Sequence, residues 1–207
     1  MNHIQHLEYL GNTYYVMRHG RSLANDEELI VSHPDQAVPQ YGLSEEGRRQ
    51  VATALNVAIR LGLLDQATMV VTSDFARARE SAEIAARLLD TRDVVLTPRL
   101  RERFFGAWDR QHHSSYERVW AGDALDGANK QYEVESTQEV LNRATSLIAD
   151  LEREHSGRTV LLVSHGDVLQ ILQTAFERVP SGSHRLLPHL ETGEIRKLEL
   201  KALPAGE

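Results

Sequence analysis

Residues 159–166 read TVLLVSHG. The first five residues are the strongest strand signal in the chain, and Ser164-His165-Gly166 follows without a spacer. From Gly166 onward, Leu169, Leu172 and Phe176 recur at helical spacing. The same succession of strand, polar turn and helix occurs earlier. TYYVM (13–17) is a short aromatic and β-branched run that ends in Arg18-His19-Gly20. Met69-Val70-Val71 is a second strand, followed by Thr72-Ser73-Asp74-Phe75-Ala76-Arg77-Ala78. Between them, residues 18–43 read as a long loop with one helical turn. Ser44 then caps a helix carrying Val51, Ala54, Leu55, Ala58 and Ile59. Asp74 is the expected cap of a helix whose apolar stripe is Ala78, Ala82, Ala85 and Leu88. Val94-Val95-Leu96 is a third strand, closed by Pro98. Ser136-Thr137-Gln138-Glu139 is a capping box, and the helix it opens turns Val140, Ala144, Leu147 and Leu151 inward. Residues 194–200 alternate and read as a last strand at an edge.

This alternation predicts an α/β protein: a three-layer α/β/α sandwich whose mostly parallel central sheet has helices on both faces. The 207 residues suit one domain (1–207), with an inserted helical and loop segment around 104–135. With 41% apolar and 26% charged residues the chain has the balance of a soluble globule. A net charge of −7 argues against broad affinity for nucleic acid or anionic membrane. There are no cysteines, which excludes disulfides and thiolate metal sites. No apolar stretch approaches a membrane span, and MNHIQHLEYLGN lacks the features of a secretory signal, so a cytoplasmic location is expected.

Ligands of such sheets gather at the carboxyl ends of the strands. Three loaded turns sit there: Arg18-His19-Gly20, Ser73 to Ala78, and Ser164-His165-Gly166. If they converge they offer two arginines and two histidines, with Glu102 a fourth candidate behind the third strand. Two guanidiniums and two imidazoles around a point make an anion site, because the planar fork of Arg binds phosphate oxygens in pairs. Gly20 and Gly166 would let the backbone approach the ligand, and the helix beginning at Gly166 would add its N-terminal dipole. A histidine in this nest stays neutral and can attack phosphorus. The arginines would spread charge in the transition state, and Glu102 could protonate the leaving oxygen.

The ordered set of motifs resembles the histidine phosphatase superfamily, also called the phosphoglycerate mutase-like family. Arg18-His19-Gly20 matches its hallmark. Ser22 and Asn25 match the E-S-x-x-N that follows, with Arg21 in place of the acidic residue. Leu43, Ser44, Gly47 and Gln50 fit L-T-x-x-G-x-x-Q-A, with Val51 replacing the alanine. Ser73-Asp74-Phe75-Ala76-Arg77-Ala78 fits S-D-L-x-R-A. Leu100-Arg101-Glu102-Arg103-Phe104-Phe105-Gly106-Ala107-Trp108 fits L-x-E-x-x-F-G-x-W. Glu135-Ser136 and Val163-Ser164-His165-Gly166 complete the series. The resemblance implies that His19 is phosphorylated during turnover, and that Arg18, Arg77 and His165 hold the phosphoryl group. It further implies that Asn25 donates to one of its oxygens and that Glu102 is the proton donor. Ser22, Arg21 and Gly166 complete the expected phosphate-binding set. Neither the resemblance nor the sequence implies a metal or another cofactor.

Mutases of the family resemble E-R-H-Y-G-x-L-x-G-L-N-K around the acid. Here the stretch is ERFFGAWDRQHH (102–113), with Phe105, Arg110 and His113 at the Tyr, second Gly and Lys positions. Adjacent arginines for a glycerate carboxylate are absent between 114 and 142, where Arg118 stands alone. The short insertion leaves a phosphohistidine open to water, which favours hydrolysis. The reading is therefore a phosphomonoesterase acting on a small-molecule phosphate ester, with mutase-type transfer or a noncatalytic phosphate-binding module as alternatives. Arg21, Arg103, Arg110, His112 and His113 would enrich the pocket mouth in donors, which points to an anionic or polyhydroxylated substrate. His112 and His113 are not read as metal ligands, because adjacent side chains diverge and no third ligand has matching spacing. Trp108, Tyr116 and Trp120 are either lid or packing residues. Monomer and dimer are both compatible with the sequence.

Overall fold

The structure is a computed structural model and describes residues 1–203. From the N-terminus the chain forms β1 (Thr13–Arg18), α1 (Leu23–Asp26), α2 (Pro34–Ala37), α3 (Glu45–Arg60), β2 (Met69–Thr72), α4 (Ala76–Leu89) and β3 (Val94–Leu96). It continues through α5 (Tyr116–Leu125), α6 (Thr137–Glu154), β4 (Thr159–Ser164), α7 (Gly166–Glu177) and β5 (Ile195–Leu198). Among the described residues the strands make one sheet of order β3-β2-β4-β1-β5. The first four positions are parallel, and β5 lies antiparallel to β1 at the edge.

The run TVLLV is apolar throughout because β4 sits mid-sheet with helices on both sides. Val160 and Leu162 join Tyr14, Val16 and Val71 in a core covered by α6 and α7. Leu161 and Val163 join Tyr15, Met17 and Val70 under α3 and α4. The fold is thus the three-layer α/β/α arrangement. Among the described residues no helix is long and apolar enough to cross a membrane.

Caps fix where the long helices start. Ser44 accepts from the Gly47 N–H at 3.1 Å, and Ser136 and Glu139 form both halves of a capping box. Three local expectations need correction. The 18–43 stretch holds two helical turns, the second started by Pro34 at its first position with His33 as N-cap. Asp74 does not cap α4. Its carboxylate makes a bidentate pair with Arg101 at 2.7 and 2.6 Å, a stronger contact than one cap bond, and Phe75 occupies the cap position without a side-chain bond. The stripe of α4 ends on Leu89 (4% exposed) rather than Leu88 (39%), as the 3.6-residue period requires after Ala78, Ala82 and Ala85.

Candidate active site

The sheet register brings the three turns to one level. Arg18 is paired with Ser164, and Thr72 with Val163. The ladder runs one residue further on each side: His19 N–H donates to the Ser164 carbonyl at 2.9 Å, and Ser73 N–H to the Val163 carbonyl at 3.0 Å. Hence Arg18, His19, Ser73 and His165 meet at the carboxyl ends of three adjacent strands, and Arg77 reaches them from the first turn of α4.

His19 is 3% exposed. Its Nδ1 lies 2.7 Å from the Gly20 carbonyl oxygen, which can only accept, so Nδ1 carries the proton. Nε2 therefore holds the lone pair, and the Arg77 Nε–H donates to it at 3.1 Å. Burial, then the Arg77 and Arg18 charges, hold this imidazole well below its usual pKa. His165 is also buried and lowered, by burial and then by Arg77 and His19. Its ring packs edge-on against His19, with centroids 5.0 Å apart, and its Nε2 lies 3.0 Å from Ser73 Oγ.

Arg77 is anchored by Nη2 on the Val31 carbonyl at 2.9 Å and packs over the Phe75 ring. Arg18 is anchored by Nη1 on the Leu190 carbonyl at 2.9 Å and on His189 Nε2 at 2.8 Å. Among the described residues six buried side-chain nitrogens lack a partner, and three belong here: Arg18 Nε, Arg77 Nη1 and His165 Nδ1. Buried polar nitrogens are rarely left without a partner in folded proteins, so two guanidinium donors and an imidazole nitrogen in one cluster point to an anion as the missing partner. Arg77 and His165 both contact His19, through the Arg77 Nε–H bond to Nε2 and through the edge-on ring packing.

Glu102 borders a cavity of about 700 Å³ together with Phe75, Ser32, Phe104 and Lys130, whereas His19, Arg77 and His165 are buried and do not line it. Burial, and next the Asp167 charge, push the Glu102 carboxyl up to about 7, against the pull of Arg77 and Arg18. A second cavity of about 690 Å³, bordered by Met1, Asp123 and Arg178, is lined by none of these side chains.

Other expected residues take different places. Asn25 and Ser22 cap α1 reciprocally: Asn25 Oδ1 accepts from Ser22 N–H at 3.0 Å and from its hydroxyl at 2.9 Å. This fixes the amide flip and leaves the Asn25 NH2 as its outward donor. The Ser22 hydroxyl is spent on the cap, so Ser22 acts by orienting Asn25 rather than by facing the ligand. Arg21 is turned to the surface, where its Nε meets Asp26. Gly20 is required by α3 rather than by a ligand, since a Cβ there would meet the Gly47 carbonyl oxygen at 2.3 Å. Gly166 makes room for Arg18, whose Cζ and Nε would lie 3.3 Å from an added Cβ.

Arg103 is not at the mouth. It is fully buried, bidentate to Asp123 at 2.6 and 2.7 Å, 3.1 Å from Asp167, and bonded to the Glu135 carbonyl at 2.6 Å. Asp167 also accepts from Trp120 Nε1 at 2.9 Å. Burial alone would raise the Asp167 carboxyl, but His184 and Arg103 hold it well below the usual carboxylate range. This knot ties α5 and α7 to the residue after Glu102, and the Arg103 N–H donates to Glu102 Oε1 at 3.0 Å. The sequence reading missed the roles of Ser73, His189, Asp123 and Asp167. Only Asp167 carried a local signal, standing two residues after His165.

The family model of the histidine phosphatase superfamily (branch 1) matches residues 14–202. A probable phosphoglycerate mutase GpmB of Cronobacter sakazakii is 31% identical over 92% of this chain and 86% of its own. Among solved structures, Bacillus stearothermophilus YhfR superposes with a TM-score of 0.72 at 28% identity, covering 92% of this chain and 95% of its own. A mycobacterial glucosyl-3-phosphoglycerate phosphatase solved with VO3 shares the fold, with a TM-score of 0.74, 24% identity, and 89% and 91% of the two chains covered. The strand-end cluster, the match along nearly the whole chain and these likenesses agree: the chain belongs to the histidine phosphatase superfamily, branch 1.

Proposed function

We propose that the protein is a metal-independent phosphomonoesterase that works through a phosphohistidine at His19 on a small phosphorylated metabolite. The observation that carries this reading is the set of partnerless buried nitrogens, Arg18 Nε, Arg77 Nη1 and His165 Nδ1, on the side chains clustered with His19 at the strand ends. A phosphate ester drawn in by these donors takes Arg77 from Nε2 and frees the lone pair. Nε2 then bonds to phosphorus as the P–O ester bond breaks. The leaving oxygen takes the proton of the Glu102 carboxyl, which burial keeps protonated to near neutrality. In the second half, the Glu102 carboxylate removes a proton from water, the water oxygen bonds to phosphorus, and the P–N bond returns its electrons to Nε2. Inorganic phosphate leaves. Arg18, Arg77, His165 and the Asn25 amide hold the oxygens throughout.

The cavity next to Glu102 supports a neutral, polyhydroxylated leaving group. Its bordering cations are already paired: Arg101 with Asp74, Arg143 with Glu135, and Lys130 with Glu139. No free cation among them is left to bind a glycerate carboxylate. Phosphoglycerate mutase-type transfer is the second reading, favoured by the name of the Cronobacter sakazakii relative. An assay on an aryl phosphate with EDTA present, beside His19→Ala, tests the proposal. Turnover that survives EDTA and vanishes in the variant supports it. Absence of turnover, with transfer only when a bisphosphorylated glycerate primer is supplied, would replace it with the mutase reading.

A further inference from the structure

His112 and His113 lie outside the phosphate cluster, and the fold removes both objections to them as ligands. Leu29 and His112 form an antiparallel bridge, and the His113 N–H donates to the Glu28 carbonyl at 2.8 Å. This pairing carries Glu28 onto the two rings from 84 residues earlier in the chain. Glu28 itself adopts φ 55°, a left-handed conformation uncommon for a residue with a side chain. The rings do not diverge, because His112 is extended while His113 starts a 3-10 turn; their centroids are 4.5 Å apart. One ligating atom from each of the three side chains lies within 4.8 Å of the other two.

We propose that Glu28, His112 and His113 form a surface site for a divalent d-block cation such as Zn²⁺. Two imidazole nitrogens and one carboxylate oxygen suit Zn²⁺, Ni²⁺ or Cu²⁺, and lack the oxygen-rich shell that Ca²⁺ and Mg²⁺ need. A tetrahedral ion with bonds of about 2.0 Å holds its ligand atoms about 3.3 Å apart. His112 Nε2 and Glu28 Oε2 already stand 3.0 Å apart. The remaining closure asks only for rotamer changes of exposed side chains. His112 Nδ1 accepts the Ser114 backbone N–H at 3.2 Å and lies 2.9 Å from Ser114 Oγ, so ligation through Nε2 moves the ring proton to Nδ1, where Ser114 Oγ can accept it in place of that turn bond. Water completes the coordination.

The site would act as a clip. Residues 28–33 and 109–113 are laced by Ile30 N–H to the Gln111 carbonyl at 2.9 Å and Arg110 N–H to the Ile30 carbonyl at 2.7 Å. The first segment includes Val31, whose carbonyl holds Arg77. An ion bridging Glu28 to the two histidines fastens these segments side by side.

The test is titration of Zn²⁺ alone into the EDTA-stripped, buffer-exchanged full chain by calorimetry, with a parallel Co²⁺ titration followed by visible absorption. The expected result is one Zn²⁺ per chain. Glu28→Gln and the double variant His112→Ala/His113→Ala should each lose affinity by about tenfold or more and lose the Co²⁺ band. All three side chains are exposed, so the variants keep the fold, which circular dichroism checks. Absence of one-to-one binding in the wild type at about 100 μM Zn²⁺ overturns the proposal. So does an unchanged affinity in either variant. Turnover enters neither readout, so failure here is distinct from failure of the phosphatase reading.

Discussion

Replacing Glu102 by Gln should make the protein more stable and less active at the same time, in a pH window set by one carboxyl. Burial, then Asp167, raises that carboxyl from 4.5 to about 7. Below pH 4.5 the folded and unfolded states are both protonated there, and Glu102 costs nothing. Between 4.5 and 7 the unfolded chain ionises while the folded one holds its proton, so stability falls as pH rises. Above 7 the cost is complete. A shift of that size corresponds to about 3 kcal/mol, a ceiling because the side chain keeps some solvent access through the cavity. The amide cannot ionise and escapes the cost. Urea denaturation of wild type and Glu102→Gln should therefore give equal stabilities near pH 4, with the variant ahead by about 1–3 kcal/mol at pH 8. Turnover should fall by roughly 10²–10⁴ on alkyl phosphates, whose leaving oxygen needs the proton, and much less on aryl phosphates. In the wild type, alkyl ester turnover should decline as pH rises through about 7. A variant with no stability advantage at pH 8 over pH 4 would refute the claim that Glu102 is held protonated, and with it its role as the acid.

His19→Ala should abolish turnover, and acid quench of the wild type with labelled substrate should trap an acid-labile phosphoryl group that the variant lacks. Inorganic phosphate should inhibit competitively, and kinetics unaffected at millimolar phosphate would count against the strand-end cluster as an anion site. Gly166→Ala places a methyl 3.3 Å from the Arg18 guanidinium, so it should raise KM or the phosphate inhibition constant severalfold with little change in melting temperature. Arg103→Met leaves Asp123 and Asp167 buried without their cation and should cost about 3–5 kcal/mol in denaturant unfolding.

The strand-end cluster was legible because its sequence signals are local. Arg18, His19, His165 and Arg77 each end a strand or follow one within a few residues, and parallel strands align their carboxyl ends. What escaped depends on partners far apart in the chain. Arg103 looks like a surface charge until Asp123 and Asp167 close over it from two helices. Glu28 is unremarkable until a bridge lays it against His112. Gly20 and Gly166 look in sequence like openings for a ligand, but the space they leave is filled by the Gly47 carbonyl and by Arg18. Asp74 stands where a cap belongs, and only the path of residues 98–101 reveals the guanidinium that takes it.

The Arg77 Nε–His19 Nε2 contact has a consequence for chemical reactivity. The lone pair of His19, the proposed nucleophile, is occupied by a guanidinium hydrogen, and the ring is almost out of reach of solvent. Acylating reagents such as diethylpyrocarbonate should modify the exposed His112 and His113 well before His19. A ligand exposes the nucleophile only if it carries enough negative charge to recruit Arg77. Under the proposed mechanism a dianionic phosphate monoester would do this better than a monoanionic sulfate ester or diester, and the mask would double as a filter. The imidazole would then react only with the class of molecule that can unmask it.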